Sequence, residues 1–467
     1  MLLNNKPLNL FLLIGLIYIL SSLIQFNFDK HDRIIGITFG LPRVLSGDVP
    51  HYLASVSSLV FDSDFDLANN YASAEQGSTC DVGFNNRNKP INHHVKFVDK
   101  KTKEVYSGKF IPDPNKEAWI KIPNGPSARL QDYYYYSVHP PGLPVLLFLF
   151  LWPIRYLFPR NTCAVEWSTV FFSIIVTLIG LFFLYKFIVH YGKNRRIAMQ
   201  VLLLFGLGTP LWHYARTAWP ETALTTLLMG ALYLLLVQQS PFGAGILIAL
   251  GISIKFPFVL FAGIIGMSLL NEKKLKAACM YAIPSILVFV MILFYHYSLF
   301  GNAFSVGQTY YFSSWGNPLN GFLGMFFSLQ QGLFFFAPLL FLSFIGIKRF
   351  FLLQKKDAFV CACIFFAYYL FWAIRGLDWQ GGAYSNRYLL PVMPLLAIPF
   401  AIACVDKKIP GKTLWIKNLY WVLIVYSIVI NFIGGAFAPL LVNNYPWHAF
   451  VLLFTKFSYV LTLFSHY

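Results

Sequence analysis

Long apolar runs, separated by short polar loops, make up most of the chain. A run of about 20 apolar residues is long enough to cross a hydrocarbon layer of roughly 30 Å as a helix. The first run, residues 7–26, has this length and lacks a small-x-small cleavage site, so it predicts an uncleaved span rather than a removed signal peptide. Further runs are predicted near 168–189, 197–215, 222–238, 243–254, 256–270, 277–297, 323–347, 358–374, 387–404, 419–440 and 448–463. The pattern indicates an all-α polytopic membrane protein.

Lysine and arginine concentrate in short loops between these runs, at 190–196, 271–276, 348–357 and 405–418. Basic loops of this kind are retained in the cytoplasm, and placing them there fixes the rest of the topology. Residues 142–158 must then form a juxtamembrane or re-entrant helix, and residues 243–270 must form two half-length helices that meet near Lys255. The result is about twelve spans in one transmembrane domain over residues 1–467, with both termini in the cytoplasm.

The same topology leaves residues 27–141 outside the cytoplasm as a large first loop. Its hydrophilic part, residues 61–140, is too long to be a plain connection. Its alternating segments and Pro-Gly punctuation predict juxtamembrane helices together with a small mixed cap. Cys80 and Cys163 both fall on this side, so a disulfide between them and two free thiols are both open at this point.

The composition agrees with a membrane protein, since 57% of the residues are hydrophobic and only 12% are charged. A soluble chain of this length needs more charge to cover its surface. The formal net charge of +17 would suggest nucleic acid in a soluble protein, but here the cytoplasmic loops account for it. The chain contains no GxxxxGK[ST] phosphate-binding loop, so ATP-driven transport is not indicated.

Charged residues also lie at the outer ends of separate spans. Those in question are Arg216, Glu221, Lys255, Arg375, Asp378 and Arg387. Ionisable groups at membrane depth are costly, so a set on one face is typical of a functional site. The alternative is that each is an ordinary interfacial group whose side chain extends toward the lipid headgroups.

Asp48 lies near the start of the first outer loop, in the sequence SGDVPHY at 46–52. One interpretation makes it the N-cap of a helix that starts at the following proline. The other makes it a general base, because partial desolvation at a membrane boundary raises the pKa of a carboxylate toward a useful range. The residues alone leave both interpretations open.

Several motifs, in the same order and on the expected side, resemble those of the C-type glycosyltransferase superfamily. They are SGDVPHY (46–52), DSDFDLANNY (62–71), SVHPPGLP (137–144), FGNAFSVGQTYY (300–311), SLQQGLFFFAPLLFL (328–342) and WQGGAYSNRYLLPVMPLL (379–396). The branch they look like includes protein O-mannosyltransferases and lipid A aminoarabinose transferases. The resemblance covers about residues 1–410 and does not involve the last two predicted spans.

The resemblance implies a polyprenyl- or dolichyl-phosphate sugar as donor and a catalytic carboxylate at the position of Asp48. It also implies direct displacement with inversion at the anomeric carbon. Glu221 matches a second acidic position, where it would orient the acceptor or help to hold a cation; its alternative role is a first-turn glutamate favoured by the helix dipole. Val49 stands where many relatives have a second acid, so no metal ligand is assigned, and a divalent cation is left open.

This chemistry needs a base for the acceptor hydroxyl and positive charge for the departing lipid phosphate. Arginine suits the second task because its planar fork pairs two phosphate oxygens. We expect Arg387 first and Lys255 second to bind the donor phosphate, with Arg216 and Arg375 as further candidates. Other substrate contacts are expected from His51, Tyr52, His139 and Asp378.

The sequence therefore favours a multi-pass membrane protein that is a glycosyltransferase. We expect it in a bacterial inner membrane, with its site facing the exterior. Its expected partners are the lipid-linked donor, a glycan, lipid or protein acceptor, and the bilayer, but not nucleic acid. The alternatives are a transporter or lipid flippase, a polymerase or ligase of surface polysaccharide, and a non-catalytic member of the superfamily. The sugar, the acceptor and the oligomeric state do not follow from the sequence.

Overall fold

The structure is a computed structural model that describes most of the chain. It covers residues 7–28, 34–40, 48–73, 84–85, 89–90, 95–108, 111–112, 119–121, 127–129, 132–217, 219–304, 318–329, 331–375, 384–406 and 414–437.

Helices dominate these residues. The α-helices are α1 (Pro7–Leu23), α2 (Val49–Ser57), α3 (Ala68–Ser73), α4 (Gly142–Leu151), α5 (Ile154–Leu157), α6 (Thr162–Gly192), α7 (Arg195–Leu207), α8 (Leu211–Ala215), α9 (Pro220–Leu232), α10 (Pro241–Ile254), α11 (Val259–Asn271), α12 (Leu275–Phe300), α13 (Pro318–Phe327), α14 (Leu333–Phe336), α15 (Ser343–Leu353), α16 (Lys355–Ala373), α17 (Pro394–Val405) and α18 (Leu414–Phe437). Short 3-10 segments are Phe256–Phe258, Pro338–Leu342 and Arg387–Leu389, and π-helical turns are Ser58–Asp62 and Tyr233–Val237.

The strands are short and pair only antiparallel. They are β1 (Ile24–Phe28), β2 (Ile34–Phe39), β3 (Phe84–Asn85), β4 (Lys89–Pro90), β5 (Val95–Asp99), β6 (Val105–Gly108), β7 (Ile111–Pro112), β8 (Trp119–Lys121), β9 (Ser127–Arg129) and β10 (Tyr133–Ser137). The first loop thus contains both helices and strands, as the sequence predicts. Its arrangement as a cap over the membrane stays a prediction.

Within the described residues, five helices are long and apolar enough to cross a membrane. They are Thr162–Gly192, Pro220–Val237, Leu275–Phe300, Lys355–Ala373 and Lys417–Gly434. Shorter apolar helices of 10–17 residues include α1, α4, α10 and α17. The largely helical membrane fold is therefore present, while the total of about twelve spans stays a prediction.

The predicted interruption near Lys255 is present. Helix α10 ends at Ile254, the backbone of Lys255 is extended (φ −152°, ψ 118°), and a 3-10 turn containing Pro257 leads into α11. Proline disfavours helical backbone at the residue before it and cannot donate a helix hydrogen bond, so the chain restarts rather than continues. Residues 142–158 likewise form two short helices, α4 and α5, with a turn at Trp152 and Pro153.

The apolar run at 323–347 is not one helix, contrary to the sequence prediction. Helix α13 ends at Phe327, α14 spans one turn, and the backbone breaks again at Ala337 before Pro338. Helix α18 supplies hydrogen bonds at this break: the backbone N–H of Leu339 donates to Ser427 Oγ (3.0 Å), and Asn431 Nδ2 donates to the Phe336 carbonyl (2.7 Å). The break is thus stabilised by polar groups far away in the sequence.

The chain divides into two compact units, each built from separate stretches of sequence. Unit 1 comprises Met1–Leu41, Ile174–Thr217 and Ser314–Tyr467. In its core α15 packs on α17 and α7 packs on α17, while α1 and α18 pack on α7 and on each other. Helices α15 and α17 approach closely at Gly346, where a Cβ atom would overlap the backbone of Pro399.

Unit 2 comprises Pro42–Ser173 and Ala218–Ser313. Helix α10 packs between α9 and α12, and α4 joins α10 at Gly142, whose Cβ position overlaps the backbone of Ser253. A three-stranded sheet in the order β10-β5-β6 belongs to this unit. Asp66 holds that sheet against the start of α3, because its Oδ1 accepts from the backbone N–H of Tyr135 (2.9 Å) and of Ala68 (3.1 Å).

Candidate functional site

Asp48 immediately precedes α2 in unit 2. The helix begins with a proline in its first turn, and every residue from Val49 to Ser57 is buried. The Asp48 side chain is partly buried and makes no capping hydrogen bond to the start of this helix. Asp48 therefore holds the N-cap position of α2 without the side-chain hydrogen bond that a capping role would give.

Three predicted substrate residues lie together next to this position. The rings of Tyr52 and His139 are 4.8 Å apart, and those of His51 and His139 are 5.7 Å apart, measured between centroids. His51 and His139 are both buried. The backbone N–H of His139 donates to Ser137 Oγ (3.1 Å), which fixes the turn before α4. The first turn of α2 and the segment SVHPPGLP thus form one cluster.

Glu221 and Lys255, predicted separately, form a buried ion pair. Lys255 Nζ donates to Glu221 Oε1 at 2.6 Å, and the two side chains are 7% and 0% exposed. Glu221 lies in the first turn of α9 and Lys255 follows the last turn of α10. Each charge therefore lies at the helix end whose dipole favours it.

The packing of α4 on α10 connects these two parts of unit 2. Gly142 follows His139 by three residues and lies against Ser253, which precedes Lys255 by two. A side chain at Gly142 would not fit. In unit 2, the backbone just after His139 is therefore in contact with the backbone just before Lys255.

In unit 1, two predicted phosphate ligands flank a pair of stacked aromatic rings. Trp372 and Tyr388 stack with centroids 3.7 Å apart and planes 3° from parallel. The guanidinium of Arg375 lies 5.4 Å from the Trp372 ring, and that of Arg387 lies 5.0 Å from the Tyr388 ring. Arg387 Nη2 also donates to the Tyr388 hydroxyl (3.3 Å). Both arginines are buried, and cation–π contacts of this kind strengthen when water is excluded.

Arg216, the third predicted arginine of unit 1, is 7% exposed. Its Nε and Nη1 have no hydrogen-bond partner among the described residues. Burial lowers the pKa of its guanidinium to about 10, so the side chain stays protonated at neutral pH. No Asp or Glu is buried in the part of unit 1 that the structure describes. This unit therefore contains buried positive charge that is suited to an anion.

Tyr384 anchors the segment that leads to Arg387. Its backbone carbonyl accepts from the Tyr214 hydroxyl (2.5 Å), and its own hydroxyl donates to the Ile430 carbonyl of α18 (2.7 Å). Tyr384, Trp372 and Tyr388 were not predicted from the sequence as site residues. The sequence signal for the two stacked rings was their position. Trp372 lies three residues before Arg375, and Tyr388 directly follows Arg387.

Two sequence predictions fall partly outside the described residues. Asp378 lies there, so its predicted substrate contact stays a prediction. Cys163 is disulfide-bonded, so it is not a free thiol, and Cys80, one candidate partner from the sequence, lies outside the described residues.

The described residues contain no group of three or more His, Cys, Asp or Glu side chains that could hold a metal ion. Glu221 is paired with an ammonium rather than with a second carboxylate. The donor set that surrounds Glu221 therefore does not fit a divalent cation.

No family model matches the chain, and no curated protein matches it. Solved structures do. ArnT from Cupriavidus metallidurans bound to undecaprenyl phosphate is similar with a TM-score of 0.50 and 13% identity, over 95% of this chain and 73% of that chain. Archaeal oligosaccharyltransferase AglB from Archaeoglobus fulgidus, in complex with an inhibitory peptide and a dolichol-phosphate, gives a TM-score of 0.49 and 12% identity, over 92% of this chain and 55% of that chain. The likeness to ArnT shows that this chain shares the fold of that structure.

Proposed function

We propose that the chain is a membrane glycosyltransferase that moves a sugar from a polyprenyl- or dolichyl-phosphate carrier to an acceptor on the non-cytoplasmic face. The observation that carries this proposal is the buried positive charge of unit 1, where Arg375 and Arg387 flank the Trp372–Tyr388 stack. The fold supports it, and the similar ArnT structure contains undecaprenyl phosphate. We place the protein in a bacterial inner membrane with this chemistry on the outer side.

The leaving group explains the arginines. As the bond between the anomeric carbon and the phosphate oxygen breaks, negative charge develops on the lipid phosphate. Preorganised guanidinium groups in a site that excludes water stabilise such charge without reorganising. We assign Arg387 and Arg375 to the phosphate, because the aromatic stack fixes their planes, and Arg216 to the same anion from α8.

Asp48 is the proposed general base. It takes the proton from the acceptor hydroxyl as the hydroxyl oxygen attacks the anomeric carbon, and one such displacement inverts that centre. His51, Tyr52 and His139 are proposed to contact the sugar or the acceptor. Glu221 is proposed to orient the acceptor, and Lys255, which the sequence also suggested for phosphate, is engaged with Glu221.

The test is transfer of a radiolabelled sugar from polyprenyl phosphate by the purified protein. Asp48→Asn should lower the rate by about 10²–10⁴-fold, the usual contribution of a general base, and leave expression intact. Asp62→Asn is the matched control, because Asp62 is an exposed carboxylate of the same loop. Full activity of Asp48→Asn would remove Asp48 from the mechanism.

A transporter is the second candidate. The interrupted helix pair α10–α11, with a charged residue at the break, is a feature that transporters share. Counterflow of the lipid-linked sugar across vesicles, without any covalent transfer, would favour that function over the glycosyltransferase.

A further inference from the structure

The ion pair between Glu221 and Lys255 is unusually well fixed for two charges inside a membrane protein. The backbone of Lys255 is held at both sides of the helix interruption: its N–H donates to the Gly251 carbonyl (2.9 Å), and its carbonyl accepts from the N–H of Phe258 (3.1 Å). The hydroxyl of Thr225 donates to the backbone carbonyl of Glu221 (2.7 Å), one turn into α9. Both side chains therefore start from rigid backbone and meet at 2.6 Å.

This geometry conflicts with a divalent cation at Glu221. Such ions take several oxygen ligands, and carboxylates supply most of the charge. Here Val49 replaces the acid that would follow Asp48, and Lys255 Nζ occupies Glu221 Oε1. An ion bound to the remaining oxygen, Oε2, would lie close to the ammonium, and repulsion between like charges is strong where water is excluded.

We propose that the Lys255 ammonium is the permanent counter-ion of Glu221 and takes the place that a divalent metal ion would hold on this carboxylate. The cation that neutralises Glu221 is thus part of the protein itself. Glu221 is thereby held in one orientation without dependence on the metal supply. Lys255 is then a positioning residue for Glu221 and not a ligand of the donor phosphate.

Metal binding by the intact protein is the first test. The purified protein is treated with EDTA and titrated with Mn²⁺, while thermal unfolding and the electron paramagnetic resonance signal of bound Mn²⁺ are followed. We expect the unfolding temperature to stay unchanged, with the same Mn²⁺ binding in wild type and in Glu221→Gln. Two results would overturn the proposal. One is an EDTA-induced fall in the unfolding temperature that is absent in Glu221→Gln, and the other is Mn²⁺ binding that is absent in Glu221→Gln.

A double-mutant cycle is the second test. Lys255→Met keeps the length of the side chain and removes its charge, so a buried carboxylate loses its partner and the unfolding temperature should fall by several degrees. Adding Glu221→Gln removes that lone charge, and the double variant should recover much of the loss. A double variant that is no more stable than Lys255→Met would contradict the counter-ion role.

These readouts need neither donor nor acceptor. Loss of the counter-ion proposal would therefore leave the sugar-transfer proposal standing, and failure of the transfer assay would leave the ion pair untouched. If Lys255→Met does not fold, the EDTA and Mn²⁺ measurements on wild type and Glu221→Gln still decide the question.

Discussion

Among the described residues, the ring of Trp372 lies against the buried guanidinium of Arg375, and the ring of Tyr388 lies against that of Arg387. A ring face stabilises the cation through its quadrupole and leaves the edge of the guanidinium with its donors. The aromatic contacts therefore help unit 1 to bury both positive charges.

Tyr388→Leu should weaken use of the lipid-linked donor. It removes the ring that Arg387 and Trp372 both contact, and a desolvated cation–π contact is worth about 2 kcal/mol, or roughly 30-fold in kcat/KM. Tyr388→Phe keeps the ring and should retain most activity, although it loses the 3.3 Å hydrogen bond from Arg387. Steady-state kinetics with varied donor measure this, with the exposed Tyr297→Leu as control. Equal kinetics for Tyr388→Leu and wild type would contradict the phosphate role of Arg387.

Asp66 gives the first loop a pH dependence. Burial raises the pKa of its carboxyl, although hydrogen bonds from the backbone of Tyr135 and Ala68 lower it in part. With its folded-state pKa above the unfolded value, the folded loop binds the proton more tightly. The stability from this group is therefore greatest at low pH and is lost as the pH rises through the folded pKa.

Hydrogen exchange of the β10 amides, corrected for intrinsic rates, measures this effect. Protection should fall as the pH is raised from acidic to neutral. In Asp66→Asn, which keeps an acceptor oxygen, this component should disappear, whereas Asp62→Asn should behave as wild type. An unchanged pH profile in Asp66→Asn would assign the effect to another group.

Among the elements, interruptions of apolar helices position most of the candidate residues. The break near Lys255 was predictable because Lys255 and Pro257 interrupt an apolar run. The breaks at residues 328–342 were not, since the run LFFFAPLLFL contains one proline and its polar partners, Ser427 and Asn431, lie in α18. Local sequence shows where a helix can stop, but not which distant group stabilises the stop.

The same limit applies to the candidate site. Asp48, Glu221 and Lys255 were identifiable as charged residues in apolar surroundings. The pairing of Glu221 with Lys255 depends on how α9 packs against α10, which no local pattern specifies. The Trp372–Tyr388 stack was missed because aromatic residues make up 18% of the chain and none stands out.

Gly142→Ala should displace α4 from α10. The new methyl group would overlap the backbone of Ser253, and overpacking of this kind costs about 1–3 kcal/mol. We expect a lower unfolding temperature and slower sugar transfer, because His139 and Lys255 lie next to this contact. Gly263→Ala is the control: its Cβ would meet nothing within 4 Å, so helix propensity alone should make it neutral or slightly stabilising. Identical behaviour of both variants would contradict the tight packing.

At the scale of the whole molecule, each unit is assembled from stretches that alternate along the chain. Unit 1 contains the buried arginines, and unit 2 contains Asp48 and the Glu221–Lys255 pair. The proposed positive charge and the proposed base therefore belong to different compact units. The topology prediction places all these residues on the same side of the membrane. It can be tested without altering any of the proposed site residues.

Single cysteines at exposed positions test that topology. Lys193→Cys and Lys273→Cys lie in basic loops and should resist a membrane-impermeant thiol reagent in intact cells, because such loops stay in the cytoplasm. Arg160→Cys, before α6, should react. The parent carries Cys279→Ser to remove an exposed native thiol. Labelling at Lys193→Cys without permeabilisation would show that the orientation is opposite to the prediction, with the proposed site on the cytoplasmic side.

The hydrogen bonds from α18 also bear on biogenesis. The Phe336 carbonyl and the Leu339 amide find their partners 95 and 88 residues later in the chain. At a synthesis rate of about 5–20 residues per second, the ribosome needs roughly 5–20 s to deliver those partners. During that interval these two backbone groups of the nascent chain lack their final partners. The penultimate predicted span therefore supplies hydrogen bonds to a segment that is synthesised well before it.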